Sequence, residues 1–168
     1  MLQRANDRVI AAVLALGTAL FGVATAGRHP FWLDEAFTAQ AARRSLGSLV
    51  RFLGHEAGMG PYYLMLWAWA GLGTSEAWLR TVSVAGGALA VAAVYLLTTR
   101  VAGRVVGIAA AIALWCNPFF LYNLTELRAY SWTMWLGVVT VMCCAAVRHE
   151  PSARRAVAWG ASVGAMLS

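Results

Sequence analysis

Four runs of eighteen residues without a charged side chain limit what this chain can fold into more than any other feature. They cover residues 9–26, 81–98, 105–122 and 130–147. At a rise of 1.5 Å per residue, a helix of that length is about 27 Å long, which suffices to cross the apolar core of a bilayer. A fifth apolar run begins at residue 156 and stops at Ser168, so we expect an incomplete crossing there. The runs predict an all-α fold, a polytopic transmembrane helical bundle.

The composition supports an integral membrane protein. Hydrophobic residues make up 61% of the chain and charged residues 12%, whereas soluble domains are near half apolar. The net charge of +6 comes from thirteen Arg and no Lys. In a soluble chain, such an excess of positive charge suggests binding to nucleic acid. Here most of the Arg lie between apolar runs, as the basic residues of cytoplasmic loops do, so we expect membrane lipids and no nucleic acid as partners.

The first apolar run has two interpretations. Ala24-Thr25-Ala26 fits the small-residue cleavage site of a secretory signal peptide. The run is long for a signal, however, and the chain goes on to span the membrane repeatedly. Both features favour an uncleaved first helix.

The short basic loops predict the orientation, because cytoplasmic loops collect Arg and Lys. With the N-terminus in the cytoplasm, the short basic segments all fall inside, namely those with Arg4 and Arg8, with Arg100 and Arg104, and with Arg148, Arg154 and Arg155. Residues 27–80 and 123–128 then share the extracytoplasmic side of the cell membrane.

The long loop at residues 27–80 is expected to contain interfacial helices. From Ala39 onward, the spacing of the apolar residues predicts an amphipathic helix that lies in the membrane interface. Its apolar face consists of Ala39, Ala42, Leu46, Leu49, Val50 and Leu53. Pro61 is well placed to begin a second helix, which reaches Leu72 and is too short to span. Thr74-Ser75-Glu76 resembles the cap of a further short helix that ends near Arg80.

The stretch at residues 31–37 carries an acidic pair, Asp34 and Glu35, between aromatic and aliphatic residues at the exit of the first run. Adjacent carboxylates repel each other and apolar neighbours disfavour their charge, so one of them is suited to act as a general base. The other interpretation makes Asp34 a helix N-cap, and the two are compatible.

Other polar groups on the same predicted side have open alternatives. His55 and Glu56 are either solvated or, with Asp34 or Glu35, hold a divalent cation. Glu126 and Arg128 form either a weak surface ion pair or a site where Arg binds a lipid phosphate. Nearby aromatic residues either stack on a sugar or belong to the interfacial belt.

The order of these motifs resembles the N-terminal part of GT-C glycosyltransferases. The similarity is to the branch that depends on polyprenyl-phosphate sugars, which includes protein O-mannosyltransferases and aminoarabinose transferases. It covers nearly all of residues 1–168 and is carried by Trp32-Leu33-Asp34-Glu35, His55-Glu56, Pro61-Tyr62-Tyr63, Glu76-Ala77-Trp78-Leu79-Arg80 and Glu126-Leu127-Arg128-Ala129-Tyr130. Two departures bear on the substrate class. Five residues separate His55 from Pro61, where the family commonly has His-Pro-Pro, and Thr125 stands where Gln is frequent.

The resemblance implies an inverting transfer of a sugar, a hexose or pentose such as mannose, from a polyprenyl-phosphate donor to an extracytoplasmic glycan, lipid or protein acceptor. Asp34 or Glu35 is then the catalytic base. The substrate-binding residues would be His55, Glu56, Tyr62, Tyr63, Arg80, Glu126, Arg128 and Tyr130. Family members are much longer, so this chain is expected to be a fragment or a truncated product.

A non-catalytic membrane subunit or a transporter fragment is the alternative. Transporters favour binding sites near the middle of the membrane. The four complete runs carry no charged residue at that depth, which argues against ion coupling.

Overall fold

The computed structural model describes residues 2–55, 59–150 and 152–167, and within them the chain is helical without strands. The all-α prediction is confirmed. The helices of the described part are α1 (Leu2–Thr25), α2 (Leu33–Ala42), α3 (Leu46–Leu53), α4 (Gly60–Ala70), α5 (Glu76–Ala102), α6 (Arg104–Trp115), α7 (Pro118–Thr125), α8 (Tyr130–His149) and α9 (Ala153–Leu167).

Three helices, α1, α5 and α8, are long and apolar enough to cross a membrane. The bent pair α6–α7 would add a fourth crossing if it counts as one span. The outer helices present apolar side chains to their surroundings, as lipid-facing helices do: Val13 and Leu20 of α1 are each 63% exposed. These features are consistent with a membrane protein.

Helix α5 lies at the centre and packs against α1, α4, α6, α7 and α8. The predicted short helix ending near Arg80 is wrong, because α5 runs without interruption from Glu76 to Ala102. The predicted cap is confirmed, since Ser75 Oγ accepts the backbone N–H of Trp78 at 3.2 Å. No Gly or Pro near Arg80 would stop a helix. Arg80 therefore belongs to the second turn of the central helix.

The prediction of one helix from Ala39 to Leu53 is also wrong. Helix α2 begins earlier, at Leu33, and a break at residues 43–45 separates it from α3. The predicted apolar face is divided as a result: Ala39, Ala42 and Leu49 are buried, while Leu46 and Val50 are exposed. Pro61 does stand in the first turn of α4, as predicted.

Pro118 lies near the end of the apolar run at residues 105–122, where a proline is expected to kink a helix, and the structure shows a full break there. Helices α6 and α7 meet at an angle of 67°. Pro118 has no N–H for the helix ladder, and Asn117 caps the new helix instead. Its Oδ1 accepts the backbone N–H groups of Phe119 at 2.9 Å and Phe120 at 3.3 Å.

Gly86 permits the close approach of α5 and α8. A Cβ atom at Gly86 would lie 3.0 Å from the backbone nitrogen of Trp132, an atom that cannot move aside easily. Gly17 of α1 is a matched control, because a Cβ atom there would meet nothing within 4 Å. We expect Gly86→Leu to destabilise the protein by about 1–3 kcal/mol through overpacking.

Unfolding in detergent, followed by circular dichroism, measures this effect. Gly17→Leu should be neutral or slightly stabilising, because glycine disfavours helix interiors. Equal unfolding midpoints for the two variants would contradict the packing assigned to α5 and α8.

Candidate functional site

Glu35 and Arg80 form a buried, two-pronged ion pair between α2 and α5. Arg80 Nε donates to Glu35 Oε1 at 2.9 Å, and Arg80 Nη2 donates to Glu35 Oε2 at 2.6 Å. The relative exposure of Glu35 is 0% and that of Arg80 is 4%. Two parallel charge-assisted hydrogen bonds fix both the distance and the angle between the partners. The pair therefore sets how α2 sits against the central helix.

The remaining polar atoms of this pair hold two loops. Arg80 Nη1 donates to the backbone oxygens of Ala26 at 2.8 Å and His29 at 2.6 Å. Glu35 Oε1 also accepts the backbone N–H of Leu127 at 2.8 Å. The segment that follows α1 and the loop that precedes α8 are thus both tied to one buried pair.

Glu35 was one of the two candidates for the catalytic base, and Arg80 was among the residues expected to bind substrate. In the structure, both are buried and their charged atoms bond to each other and to the backbone. A carboxylate held in this way has no accessible oxygen for an acceptor hydroxyl. This geometry does not favour either role; the pair instead positions the surrounding segments.

Asp34 is the exposed member of the acidic pair. Its side chain is 53% exposed, and its Oδ2 lies 3.6 Å from Arg128 Nη1. The prediction that Asp34 is an N-cap is wrong, because Trp32 occupies that position and Asp34 lies inside the first turn of α2. Helix geometry explains the division: consecutive residues point about 100° apart, so Glu35 faces α5 while Asp34 faces outward.

Glu126 joins the same surface from the loop before α8. Its Oε2 accepts the indole N–H of Trp32 at 2.7 Å. The guanidinium carbon of Arg128 lies 5.8 Å from the centre of the Tyr130 ring. We call this group the surface cluster; its members are Trp32, Asp34, Glu126, Arg128 and Tyr130.

The neighbours of Arg128 favour its protonated, positively charged form. Partial burial lowers the pKa of Arg128, but its contact with Tyr130 and the charge of Asp34 raise it by more, so the net shift is upward. Arg128 therefore remains a cation under all physiological conditions and is suited to bind an anionic group.

Tyr62 and Tyr63 were predicted to bind substrate, and the structure buries both. The hydroxyl of Tyr62 lies 3.4 Å from Ser83 Oγ, which in turn donates to the backbone oxygen of Arg128 at 3.2 Å. Burial raises the pKa of Tyr62 well above its ordinary value. Tyr62 thus supports the loop of Arg128 from the core, and the burial of both tyrosines does not favour the substrate-binding role predicted for them.

His55 lies apart in the turn after α3, where its side chain is exposed. Glu56 lies outside the described residues. Among the residues that are described, no three His, Cys, Asp or Glu side chains come together in a group suited to a metal ion. The cation considered for His55 and Glu56 therefore gains no support from the described side chains.

Sequence reasoning placed the members of the surface cluster on one side of the membrane but missed their contacts. The Trp32–Glu126 hydrogen bond joins residues 94 positions apart. The pairing of Glu35 with Arg80 spans 45 positions. The only feature of the sequence that pointed to these contacts was the orientation predicted from the basic loops, which puts the residues on the same side of the membrane.

Comparisons of this chain with models of known protein families, with curated proteins and with solved structures find no match.

Proposed function

We propose that this chain supplies the acidic loop of a membrane glycosyltransferase that uses a polyprenyl-phosphate sugar as donor. Asp34 is the general base, and Arg128 binds the phosphate of the donor. The observation that carries the proposal is that the two adjacent carboxylates have different environments. Glu35 is buried and paired with Arg80, whereas Asp34 is exposed beside Arg128.

The reaction proposed is a single displacement with inversion. Asp34 removes the proton from an acceptor hydroxyl, and that oxygen forms a bond to the anomeric carbon. The bond from the anomeric carbon to the phosphate oxygen breaks, and polyprenyl phosphate leaves with the electron pair. Arg128 stabilises the charge that grows on this phosphate, because a bidentate guanidinium matches its oxygens.

The aromatic members of the surface cluster suit a sugar. Trp32 and Tyr130 are 51% and 41% exposed, so both rings are accessible on the flanks of Asp34 and Arg128. Aromatic rings with one apolar face and one polar edge are also favoured where membrane meets water. We assign them to the sugar of the donor, at the level where a lipid-linked phosphate would lie.

The orientation belongs to the same proposal: the N-terminus is cytoplasmic, and the surface cluster is extracytoplasmic. Two exposed positions at opposite ends of the helices test it after the native cysteines are replaced by serine. Leu33 is 83% exposed beside Asp34, and Val101 is 79% exposed at the end of α5. A cysteine at Leu33 should react with an impermeant maleimide added to intact cells, and one at Val101 should react only after permeabilisation.

The reverse pattern would overturn the orientation, because both variants use exposed sites that differ only in their end of the bundle. Labelling of neither site in permeabilised cells would contradict the exposures given by the structure.

The function itself is tested with the purified protein. Purified protein is mixed with radiolabelled polyprenyl-phosphate hexose or pentose, and the release of polyprenyl phosphate is measured against the Asp34→Asn variant. Donor turnover by the unaltered protein alone supports the proposal. No turnover of any donor by correctly folded protein would favour a non-catalytic membrane subunit.

A further inference from the structure

A polar cavity lies at the opposite end of the helices from the surface cluster. It has a volume of about 530 Å³ and opens between the start of α1, the end of α5 and the α8–α9 connection. Its charged lining consists of Asp7, Arg8, Arg100, Glu150 and Arg155. The surface cluster contributes none of these residues.

The acidic side chains of this cavity already have partners. Asp7 Oδ1 accepts from Arg104 Nε at 2.9 Å and Nη2 at 2.8 Å. Glu150 Oε2 lies 2.5 Å from Arg155 Nη2. Arginines therefore neutralise both carboxylates, which do not offset the positive charge of Arg8 and Arg100.

Arg8 and Arg100 supply the excess positive charge. Within the described part of the chain, no carboxylate lies within 4.0 Å of either guanidinium. Both side chains are exposed. Two cations from different helices line one cavity, and neither is paired with a carboxylate of the described residues, so an anion from outside is favoured there.

The immediate neighbours of these arginines are apolar and exposed. Val9 follows Arg8 and is 62% exposed, and Val101 follows Arg100 and is 79% exposed. On both α1 and α5, an exposed arginine is therefore followed directly by an exposed apolar residue. This arrangement matches a lipid, whose charged headgroup is joined to an acyl chain.

We infer that this cavity binds the phosphate group of an anionic membrane lipid, with Arg8 and Arg100 as its ligands. Basic pockets between membrane helices recognise such headgroups, and arginine matches the phosphate oxygens with paired N–H groups. The cavity shares no residue with the surface cluster, so lipid binding here is independent of sugar transfer there.

Lipid titration of the full chain in detergent tests the inference, with the rise in unfolding temperature as the readout. The probes are dioctanoyl phosphatidylglycerol, dioctanoyl phosphatidylcholine and inorganic phosphate. We expect phosphatidylglycerol to bind at least about tenfold more tightly than the other two. Arg8→Gln and Arg100→Gln should each weaken that binding roughly five- to tenfold, since an arginine near anionic lipid contributes about that much.

Arg28→Gln is the matched control, because it removes the same charge from an exposed site at the other end of α1. Its affinity for phosphatidylglycerol should match that of the unaltered chain. An equal loss in Arg28→Gln, or equal binding of the two lipids, would overturn the inference by showing only general charge attraction. Binding of inorganic phosphate as tight as that of phosphatidylglycerol would identify a free anion as the ligand and reject the lipid.

Discussion

Asp34→Asn is expected to lower the rate of sugar transfer by a factor of about 10²–10⁴ while the protein stays folded, because that range is typical for the loss of a general base. The amide keeps the shape of the carboxylate but cannot accept the proton of the acceptor hydroxyl. Stability should hardly change, since the contact with Arg128 is long and partly exposed, and such pairs contribute little.

Initial rates with radiolabelled donor, measured on equal amounts of membrane-inserted protein, give this factor. Glu76→Gln is the control: Glu76 accepts the backbone N–H of Phe31 at 3.1 Å, and a glutamine oxygen at that position still accepts it. Its rate should stay close to that of the unaltered protein. Near-normal turnover by Asp34→Asn would remove Asp34 from the reaction.

Glu35→Gln is expected to act on stability, with a loss of about 3–5 kcal/mol in the free energy of unfolding. The substitution leaves the charge of Arg80 buried without its counter-ion, and Arg80 has 4% exposure. Replacing both partners of a buried ion pair by apolar residues often changes stability little. Removing only one partner is strongly destabilising, because the other charge stays buried without compensation. Unfolding in detergent by increasing denaturant, followed by circular dichroism, measures the loss.

A double-mutant cycle isolates the pair from the backbone bonds around it. Arg80→Gln alone should also be strongly destabilising, because it leaves the buried carboxyl group of Glu35 without its counter-ion and the backbone oxygen of Ala26 without its donor. The double variant should lose clearly less than the sum of the two single losses, as residues in direct contact do. Strict additivity would mean that the two side chains stabilise the fold independently, contrary to the geometry.

Asp34 and Glu35 therefore make a matched pair of experiments on adjacent carboxylates. The expected outcome is a folded, inactive protein from the first substitution and a destabilised protein from the second. The opposite result, with Asp34→Asn unstable and Glu35→Gln stable but inactive, would exchange the proposed roles of the two residues.

Much of the architecture was predictable from the sequence because it depends on local chemistry. Charge-free runs of helical length predicted the apolar helices, and Pro118 after Asn117 predicted the break between α6 and α7. Ser75 before Glu76 predicted a helix start. Each of these features acts through a few neighbouring residues, so one sequence is enough to recognise it.

The errors arose where a boundary depends on packing. The predicted helix end near Arg80 coincides with the start of the charge-free run at residue 81. Arg80 instead continues the central helix, because Glu35 and three backbone oxygens neutralise and saturate its guanidinium. Likewise, the resemblance implied a substrate-binding role for Tyr62, whose side chain is buried in the structure.

The sequence by itself determined an apolar, all-helical chain with an acidic pair at the exit of its first helix. Only the tertiary structure decided which of the two carboxylates is exposed. The physical reason is that burial and pairing depend on contacts between residues far apart in the chain: Glu35 meets Arg80 and Leu127, while Asp34, one residue earlier and about 100° around α2, faces outward beside Arg128.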